Sequence, residues 1–343
     1  MNLRLLVALT VVVFLAAWWL TGRIRRYALS QRLLDIPNVR SSHAVATPRG
    51  GGMAIVLAVL VALPIASALG LLAWPLVSGL VGGGALVAVV GFVDDHRHIA
   101  PRWRLLGHVV AAVWVLSWVG GLPPLRLEGF ALDFGWVGHG LAALYLVWLL
   151  NLTNFMDGID GLAGVETITV CLSDVLLYVL AGPPGSTPWV APLVLASATM
   201  GFLVWNWPPA RIFMGDAGSG FLGLMLGALS LQAAWAAPAT FWSWIILLGV
   251  FIVDATVTLT VRVIGGERFY EAHRSHAYQH AAKRRGAHRP VTLAVGAINF
   301  CWLLPIAVLV ALGWFNGPVG VLVAYAPLVA TALWLRAGRR TAP

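Results

Sequence analysis

The chain alternates between long apolar stretches and short polar segments. Apolar runs of roughly 17 to 25 residues, the length at which a helix can cross a bilayer, recur about eleven times, and ten is the alternative because the fifth run is short. This pattern predicts an all-α polytopic membrane protein. No stretch remains for a soluble domain, so residues 1–343 are expected to form one integral membrane domain. The runs lie near residues 3–22, 51–73, 76–93, 105–121, 138–153, 162–181, 188–205, 217–236, 240–262, 292–313 and 318–336.

One segment between the fourth and fifth runs departs from the helical pattern. Residues 125–134 alternate apolar and polar side chains around Glu128 and Gly129, which is typical of two short strands joined by a tight turn. We therefore expect a small extracytoplasmic β-hairpin within residues 122–136.

Composition agrees with the pattern of runs. The chain is 60% hydrophobic and 10% charged, far from the usage of soluble globular proteins. The first run ends in Trp18, Trp19 and a group of arginines rather than in a small-residue cleavage site, which predicts an uncleaved anchor. Cys171 and Cys301 both lie within apolar runs, so the sequence supports neither a disulfide framework nor a cysteine-based metal site.

Basic residues predict the orientation. When the loops are placed alternately on two sides, 20 of the 22 Lys and Arg residues lie on one side, and only Arg4 and Arg126 lie on the other. By the positive-inside rule the first side is cytoplasmic. Anionic lipid headgroups then explain the net charge of +9, and no nucleic-acid partner is expected. The predicted cytoplasmic loops lie near residues 23–50, 94–104, 154–161, 206–216 and 263–291.

The fifth run ends in a polar motif at residues 151–164. Asn151, Asn154 and Asp157 recur at every third residue, so neighbouring pairs occupy overlapping faces of a helix. The glycines that follow predict that this helix ends near Asp157, with Asp160 on a loop facing the helix end. A polar cap followed by a turn is the alternative. The glycines are Gly158, Gly161 and Gly164.

Three further acids lie where apolar runs end or begin. Asp94 and Asp95 end the third run, and simple ion pairing with Arg102 and Arg104 is the alternative to a chemical role. Asp216 begins the eighth run among glycines. A carboxylate at a helix N-terminus is suited to hold a cation that bridges phosphates.

These acids all lie at the predicted cytoplasmic ends of runs. An acid facing lipid at the bilayer centre costs about 2.5 to 3.5 kcal/mol on insertion scales, so convergence on one hydrated cleft is the cheaper arrangement. A cleft with several carboxylates, basic loops and glycine-rich helix ends suits Mg²⁺ and a diphosphate. Asp174 and Asp254, in contrast, lie inside runs.

The first and last cytoplasmic loops are candidates for binding anions. Residues 47–52 read Thr-Pro-Arg-Gly-Gly-Gly, and their backbone amides could approach an anion beside Arg49, with close helix packing as the alternative. In the last loop His273, His276 and His280 have the spacing of one helix face. Basic residues between them favour a polyanion-binding surface, with a three-histidine zinc site or a solvated helix as alternatives.

Taken together, these motifs resemble the polyprenyl-phosphate N-acetylhexosamine-1-phosphate transferases of glycosyltransferase family 4, which include phospho-N-acetylmuramoyl-pentapeptide transferase. The resemblance covers nearly the whole chain. The motifs are Pro37 to His43, Thr47 to Gly52, Val93-Asp94-Asp95, Asn151 to Gly164, Phe213 to Ser219 and the histidine-rich loop.

The resemblance implies an activity and its substrates. Such an enzyme transfers a sugar phosphate from a UDP-N-acetylhexosamine to undecaprenyl phosphate and releases UMP, in the bacterial inner membrane with its site facing the cytoplasm. A homodimer is left open. The mechanism implied is Mg²⁺-assisted attack of the lipid phosphate on the β-phosphorus of the donor, with Mn²⁺ as an alternative cation.

The resemblance also assigns residues. Asp216 would hold the metal, Asp94 and Asp95 would engage the lipid phosphate, and Asp157 and Asp160 would lie on the nucleotide side. The catalytic candidates are Asp94, Asp95, Asp157 and Asp216. The substrate-binding candidates are His43, Arg49, Asn154, Asp160, Asn206, Phe213, His273, Arg274, His276 and His280.

The last loop departs from two branches of the family. Residues 273–279, His-Arg-Ser-His-Ala-Tyr-Gln, lack the consecutive histidines of the muramoyl-pentapeptide enzymes. They also lack the Asp-Arg-x-His-x-His-His of simple-sugar branches, and His108 stands where a glutamine is common. The loop most resembles enzymes that initiate O-antigen or another lipid-linked cell-surface glycan. The muramoyl-pentapeptide activity and, from another class, a membrane transporter are the alternatives.

Overall fold

The structure, a computed structural model, describes residues 3–37, 45–97, 99–127, 130–182, 188–267 and 273–339. It is built almost entirely of helices. A π-helical turn, Asn299–Leu303, joins two of them. The helices are α1 (Leu3–Ser30), α2 (Met53–Ala68), α3 (Trp74–His96), α4 (Pro101–Val119), α5 (Gly135–Met156), α6 (Leu162–Ala181), α7 (Val190–Asn206), α8 (Asp216–Ala236), α9 (Ala239–Leu247), α10 (Gly249–Ile264), α11 (Ala277–Arg285), α12 (Arg289–Ile298), α13 (Leu304–Ala311) and α14 (Gly317–Trp334).

The helices confirm an all-α polytopic membrane protein. Seven helical segments of the described chain are long and apolar enough to cross a membrane, or eight if the bent pair α9–α10 forms one span. Every predicted run coincides with a helix or a helix pair. However, α2 and α7 are shorter and α4 begins with two arginines, so eleven crossings stay a prediction. The first run was placed too short, because α1 continues to Ser30.

The ninth run was predicted as one span, and the structure divides it into two helices, α9 and α10. α9 and α10 meet at 67°. At the break, the Tyr325 hydroxyl donates to the Ile245 carbonyl at 2.6 Å, and the Glu166 carboxyl accepts a hydrogen bond from the Phe251 backbone. A break frees backbone groups that lipid cannot satisfy. The buried Glu166 and the partly buried Tyr325 therefore supply partners that a straight helix would not need.

α8 lies in the middle of the bundle, between α3 and α5. Its glycines let neighbouring backbones approach closely: a Cβ at Gly223 would lie 2.6 Å from the Leu149 carbonyl oxygen. Small residues serve this purpose in membrane helices. The N-terminus of α8, which carries Asp216, is thereby fixed where α3 ends and α2 begins.

Two short hairpins interrupt the helices. β1 (Leu34–Asp35) pairs antiparallel with β2 (Thr47–Pro48) and leads directly to Arg49. β3 (Leu125–Leu127) pairs antiparallel with β4 (Phe130–Leu132), where the sequence predicts a hairpin. Its side of the membrane stays a prediction.

Candidate active site

Three carboxylates meet where α3 ends and α8 begins. Asp94 and Asp95 lie in the last turn of α3, and Asp216 is the first residue of α8. The Asp95 carboxylate accepts the backbone N–H groups of Asp216 at 3.1 Å and Ala217 at 3.3 Å. A carboxylate there stabilises free amides at the positive end of a helix. Asp95 therefore joins the two helices as well as contributing charge.

Two arginines face these carboxylates. Arg49 Nη2 lies 2.6 Å from Asp95 Oδ1 and 2.9 Å from Asp216 Oδ1. Arg104 Nη1 lies 2.8 Å from Asp94 Oδ2 and 3.9 Å from Asp216 Oδ2. The ion-pairing interpretation of Asp94 is thus realised with Arg104. We call Arg49, Asp94, Asp95, Arg104 and Asp216 the acid cluster.

Arg49 remains charged in this setting. Burial by itself lowers the pKa of Arg49, but the neighbouring Asp95, Asp216 and Asp35 outweigh it and raise the pKa. Because three carboxylates face only two guanidinium groups, the acid cluster keeps a surplus of negative charge. The acid cluster can therefore attract a cation, either alone or bound to a ligand.

Gly51 and Gly52, which follow Arg49, bond to the backbone rather than to a ligand. Gly51 N–H donates to the Phe213 carbonyl and Gly52 N–H to the Met214 carbonyl, both at 2.9 Å. A Cβ at Gly52 would lie 2.5 Å from Gly218 Cα. The packing alternative is therefore realised, and these two amides are not free to bind an anion. Phe213 is half-buried, and its backbone bonds to Pro48 and Gly51.

The fifth-run motif ends where it was predicted to end. α5 stops at Met156 and Asp157 follows it, while the Asn154 Oδ1 accepts the Ser219 hydroxyl of α8 at 3.2 Å. Burial raises the pKa of Asp157 well above its usual value, and the negative charge of Asp216 raises it further against an opposing effect of Arg49. Asp157 thus holds a proton more readily than an ordinary aspartate.

Asp160 and Asn206 brace the loop before α8. Asp160 Oδ2 accepts the Ala210 N–H at 3.0 Å, and Asp160 Oδ1 lies 3.1 Å from His288 Nδ1. The buried Asn206 accepts the Gly161 N–H and donates to the Ile212 carbonyl, both at 2.9 Å. Since its amide is occupied on both sides, Asn206 acts in the structure as a scaffold beside the site.

The three histidines of the last loop do not share one helix face, so that prediction is wrong. α11 begins only at Ala277, and His276 precedes it with an extended backbone. His273 stacks on His276, with ring centroids 4.9 Å apart. His280 alone lies within α11. His43 lies outside the described residues.

Asp254 organises the start of α11. Its Oδ1 accepts the Ala277 N–H at 2.9 Å and its Oδ2 accepts the Tyr278 N–H at 2.9 Å. His276 Nδ1 lies 3.2 Å from Oδ1. From the other direction, the Tyr278 hydroxyl donates to the Phe155 carbonyl at the end of α5 at 2.9 Å. The histidine loop is thereby fixed beside Asp157.

Two histidines of this loop, His273 and His280, have lowered pKa values. Burial lowers the pKa of His273 to about 4, with His276 and Arg262 adding to the effect. Burial also lowers the pKa of His280. Positive charge at this loop therefore comes from Arg274 and Lys283, not from these two imidazoles.

Two cavities flank the site. The larger, about 570 Å³, lies between the segment 208–213 and the last loop, and we call it the basic pocket. The smaller, about 360 Å³, lies beside Arg49 and Asp95 at the β1 segment. Charged and aromatic residues of the basic pocket are Asp160, Phe213, Arg274, Lys283, His288 and Arg289.

The chain resembles known proteins over most of its length. It is 30% identical over 316 residues to a probable undecaprenyl-phosphate N-acetylglucosaminyl 1-phosphate transferase of Bacillus subtilis strain 168, and the matched region covers 90% of this chain and 85% of that protein. The chain belongs to glycosyltransferase family 4. The model of that family, glycosyl transferase family 4, matches residues 77–234.

Other relatives in glycosyltransferase family 4 carry two different names. The chain is 33% identical over 255 residues to a decaprenyl-phosphate N-acetylglucosaminephosphotransferase of Mycolicibacterium smegmatis, over 67% of this chain and 60% of that protein. It is 37% identical over 159 residues to a phospho-N-acetylmuramoyl-pentapeptide-transferase of Moorella thermoacetica, over 42% of this chain and 49% of that protein.

Membership in glycosyltransferase family 4 raises the question of a metal. Among the described residues, no group of three or more His, Cys, Asp or Glu side chains is arranged to hold an ion. Mg²⁺, however, is usually bound by one or two carboxylates together with water and substrate phosphates. Asp216, which lies beside Asp94 and Asp95 in the acid cluster, fits that smaller set. Its metal role stays a prediction.

Sequence reasoning missed two residues of the site. Arg104 was considered only as an ion-pair partner for Asp94 and Asp95, as the alternative to a chemical role for these acids. In the structure it is part of the acid cluster. His288 lies in the basic pocket and contacts Asp160, 128 positions away. A signal was present for Arg104, since it follows the Asp94–Asp95 pair closely along the chain and ion pairing with it was considered. We find none for His288, whose partner is set by tertiary packing.

Proposed function

We propose that this protein transfers N-acetylhexosamine 1-phosphate from a UDP-sugar to a polyprenyl phosphate such as undecaprenyl phosphate, releasing UMP. The observation that carries the proposal is the placement of the acid cluster next to the basic pocket. The first offers carboxylates and a surplus of negative charge, and the second offers cations for a diphosphate. The names of the relatives supply the substrate class.

The basic pocket is the proposed donor site. Arg274, Lys283 and Arg289 would bind the donor phosphates, since guanidinium and ammonium groups make charge-assisted hydrogen bonds to phosphate. Phe213 offers an aromatic surface for the uracil ring. His288 is oriented by Asp160 and would contact the donor from the same wall.

The cavity beside Arg49 is the proposed site of the acceptor phosphate. Arg49 would hold the phosphate so that its oxygen approaches the β-phosphorus of the donor, and Arg104 would limit repulsion from Asp94. Asp157, whose carboxyl has a raised pKa, would donate a hydrogen bond to a phosphate oxygen when it is protonated. Mg²⁺ held by Asp216 with Asp94 would neutralise charge on the diphosphate when bound, and Mn²⁺ is the alternative ion.

We further propose that the product initiates a cell-surface glycan such as O-antigen, because the last loop lacks the motif of the muramoyl-pentapeptide enzymes. The second candidate is the muramoyl-pentapeptide transfer itself, favoured by the Moorella relative. A panel of UDP-N-acetylhexosamines and UDP-N-acetylmuramoyl-pentapeptide, each with undecaprenyl phosphate and purified protein, separates them. Better turnover of the pentapeptide donor than of every simple donor would replace our proposal.

The donor assignment has its own test in Arg274. We expect Arg274→Ala to lower kcat/KM for the UDP-sugar roughly ten- to a hundredfold, the worth of a charge-assisted hydrogen bond. The kinetic constants of the lipid acceptor should change much less. Equal losses for both substrates would instead indicate a folding role, and Arg97→Ala, outside both cavities, is the matched control.

The transporter alternative makes a different prediction. Turnover of a UDP-sugar in detergent, where no gradient exists, would exclude transport as the primary activity. The cytoplasmic orientation of the site is proposed from the basic residues. A cysteine at Lys283, in a chain lacking Cys171 and Cys301, should resist an impermeant thiol reagent in intact cells, whereas one at Ala131 should react.

A further inference from the structure

α11 separates two cavities of opposite character. One face of α11 and the turn after it line the basic pocket, through Ala282, Lys283 and Gly286. The opposite face, through Ala277, Ala281 and Arg284, lines a separate cavity of about 420 Å³. We call this second space the apolar cavity. Its walls come from α10, α12 and α14.

The apolar cavity lies among membrane helices. Its wall residues are mainly aliphatic, and α12 and α14 belong to segments long and apolar enough to span. Protein interiors rarely leave space of this size unfilled, and in a bilayer the neighbouring medium is hydrocarbon. Representative wall residues are Val250, Val253, Val291, Val295, Ile298 and Leu328.

The mouth of the apolar cavity is cationic and aromatic. Arg284 and Arg285, in the last turn of α11, both border it and are both exposed. The Arg284 guanidinium carbon lies 5.2 Å from the centroid of the Trp334 ring, and Trp334 is 71% exposed. Exposed Trp and Arg at a helix end are typical of the bilayer interface, where anionic headgroups lie.

We propose that the apolar cavity holds an acyl chain of an anionic phospholipid, whose phosphate is bound by Arg284 and Arg285. A bound acyl chain packs against the face of α11 that lines the apolar cavity. Because the other face of α11 forms the basic pocket, the lipid then favours donor binding. The effect on donor use rests on the proposed function, whereas the lipid binding does not.

Lipid binding can be measured without any activity. Purified protein is titrated with phosphatidylglycerol or phosphatidylcholine and analysed by native mass spectrometry. We expect retention of phosphatidylglycerol over phosphatidylcholine. The double variant Arg284→Gln/Arg285→Gln should lose this preference by roughly five- to thirtyfold, since each interfacial Arg contributes about a factor of five to anionic lipid binding.

Two variants keep the test specific. Arg102 also lies over a tryptophan, 5.7 Å from the Trp103 ring centroid, but it borders none of the three cavities, so Arg102→Gln should leave the preference intact. Ala294→Phe fills the apolar cavity while keeping both arginines, and it should also release the lipid. Equal binding of both lipids to wild type, or an equal loss in Arg102→Gln, overturns the proposal.

The consequence for donor use is tested in vesicles. Wild type in phosphatidylcholine vesicles with one-fifth phosphatidylglycerol should show a severalfold lower KM for the UDP-sugar than in pure phosphatidylcholine, and Ala294→Phe should not. If polyprenyl phosphate displaces phosphatidylglycerol one for one, the cavity belongs to the acceptor and the proposal is wrong. If the lipid binds selectively but no UDP-sugar is turned over, the proposed function fails while the lipid site stands.

Discussion

The carboxylates of the acid cluster and the buried carboxylates of the membrane spans are stabilised by different kinds of partner. In the acid cluster the side chains of Asp94, Asp95 and Asp216 are 8%, 6% and 23% exposed, and they face arginines at 2.6 to 3.9 Å. Glu166 and Asp174, on α6, are fully buried and bond to neutral groups: Glu166 accepts the Asn299 amide and Asp174 the Trp244 indole N–H, both at 2.7 Å.

The difference indicates two uses of the same chemical group. A carboxylate beside charged partners at an accessible cleft can exchange those partners for a ligand. A carboxylate bonded to an amide or an indole holds helices together and has little to exchange. A transporter would be expected to use acids in the middle of spans, and here such acids are engaged by the protein. This contrast supports the proposal that the acid cluster is the site of the activity.

The largest effect is expected at Asp216. Asp216→Asn preserves size but removes an anionic oxygen, so the release of UMP should fall about a hundred- to a thousandfold, as when one transition-state charge partner is lost. The measurement is Mg²⁺-dependent UMP release by purified protein, with the elution volume as a check on folding. Asp133→Asn, in the exposed segment after β4, is the matched acid and should be neutral. Near-normal activity in Asp216→Asn would eliminate the assignment.

Asp254 lies between the two classes, because it is buried but positions the histidine loop. Its two oxygens accept different amides of α11, so in Asp254→Asn an NH₂ group must face one backbone N–H. We expect roughly a tenfold loss in kcat/KM for the donor, from one charge-assisted hydrogen bond replaced by a repulsive contact. Asp254→Glu should recover part of it. A variant that unfolds without any selective loss for the donor would show that Asp254 only stabilises the fold.

Glu166 should tolerate an amide but not a deletion. In Glu166→Gln the amide nitrogen can take the place of Oε1, which has no partner, so activity should stay within a few fold. Glu166→Ala leaves the Asn299 amide and the Phe251 backbone without this acceptor, at a cost of about 1 to 3 kcal/mol. The apparent Tm in detergent should fall by several degrees. If Glu166→Gln were as inactive as Asp216→Asn, the contrast between the two classes would fail.

The smallest effect concerns pH. With a pKa of about 4 in the folded protein and an ordinary value near 6.5 when unfolded, His273 binds protons more readily in the unfolded chain. Stability from this group is present above about pH 6.5 and is lost as the pH falls towards 4. The apparent Tm should decline across this window, and the decline should be shallower in His273→Gln. An unchanged slope would contradict the assignment.

Much of the architecture could be predicted from the sequence because apolar runs and polar interruptions are local signals. The ends of α3 and α5, the start of α8 and the β3–β4 hairpin were recognised in this way. The break between α9 and α10 was not, because both halves are apolar and only Gly249 marks the junction. The π-helical turn at Asn299 was missed for the same reason.

Contacts between residues that are distant in the sequence could not be predicted from it. The sequence identified Asp254 as an acid inside a run, but its bonds to residues 276–278 depend on how the last loop folds back. The histidine spacing was misleading because helix periodicity was assumed before the helix begins. Convergence of the acids could be inferred from cost alone, whereas which arginine faces which carboxylate could not.

The bend between α9 and α10 also determines how the protein fits its bilayer. A straight helix over the 26 residues from Ala239 to Ile264 would be about 39 Å long at 1.5 Å per residue, against a hydrocarbon core of about 30 Å. Bending by 67° shortens its projection along any one direction. In this pair, the mismatch between helix length and bilayer thickness can thus be reduced at one joint instead of by tilting the whole helix.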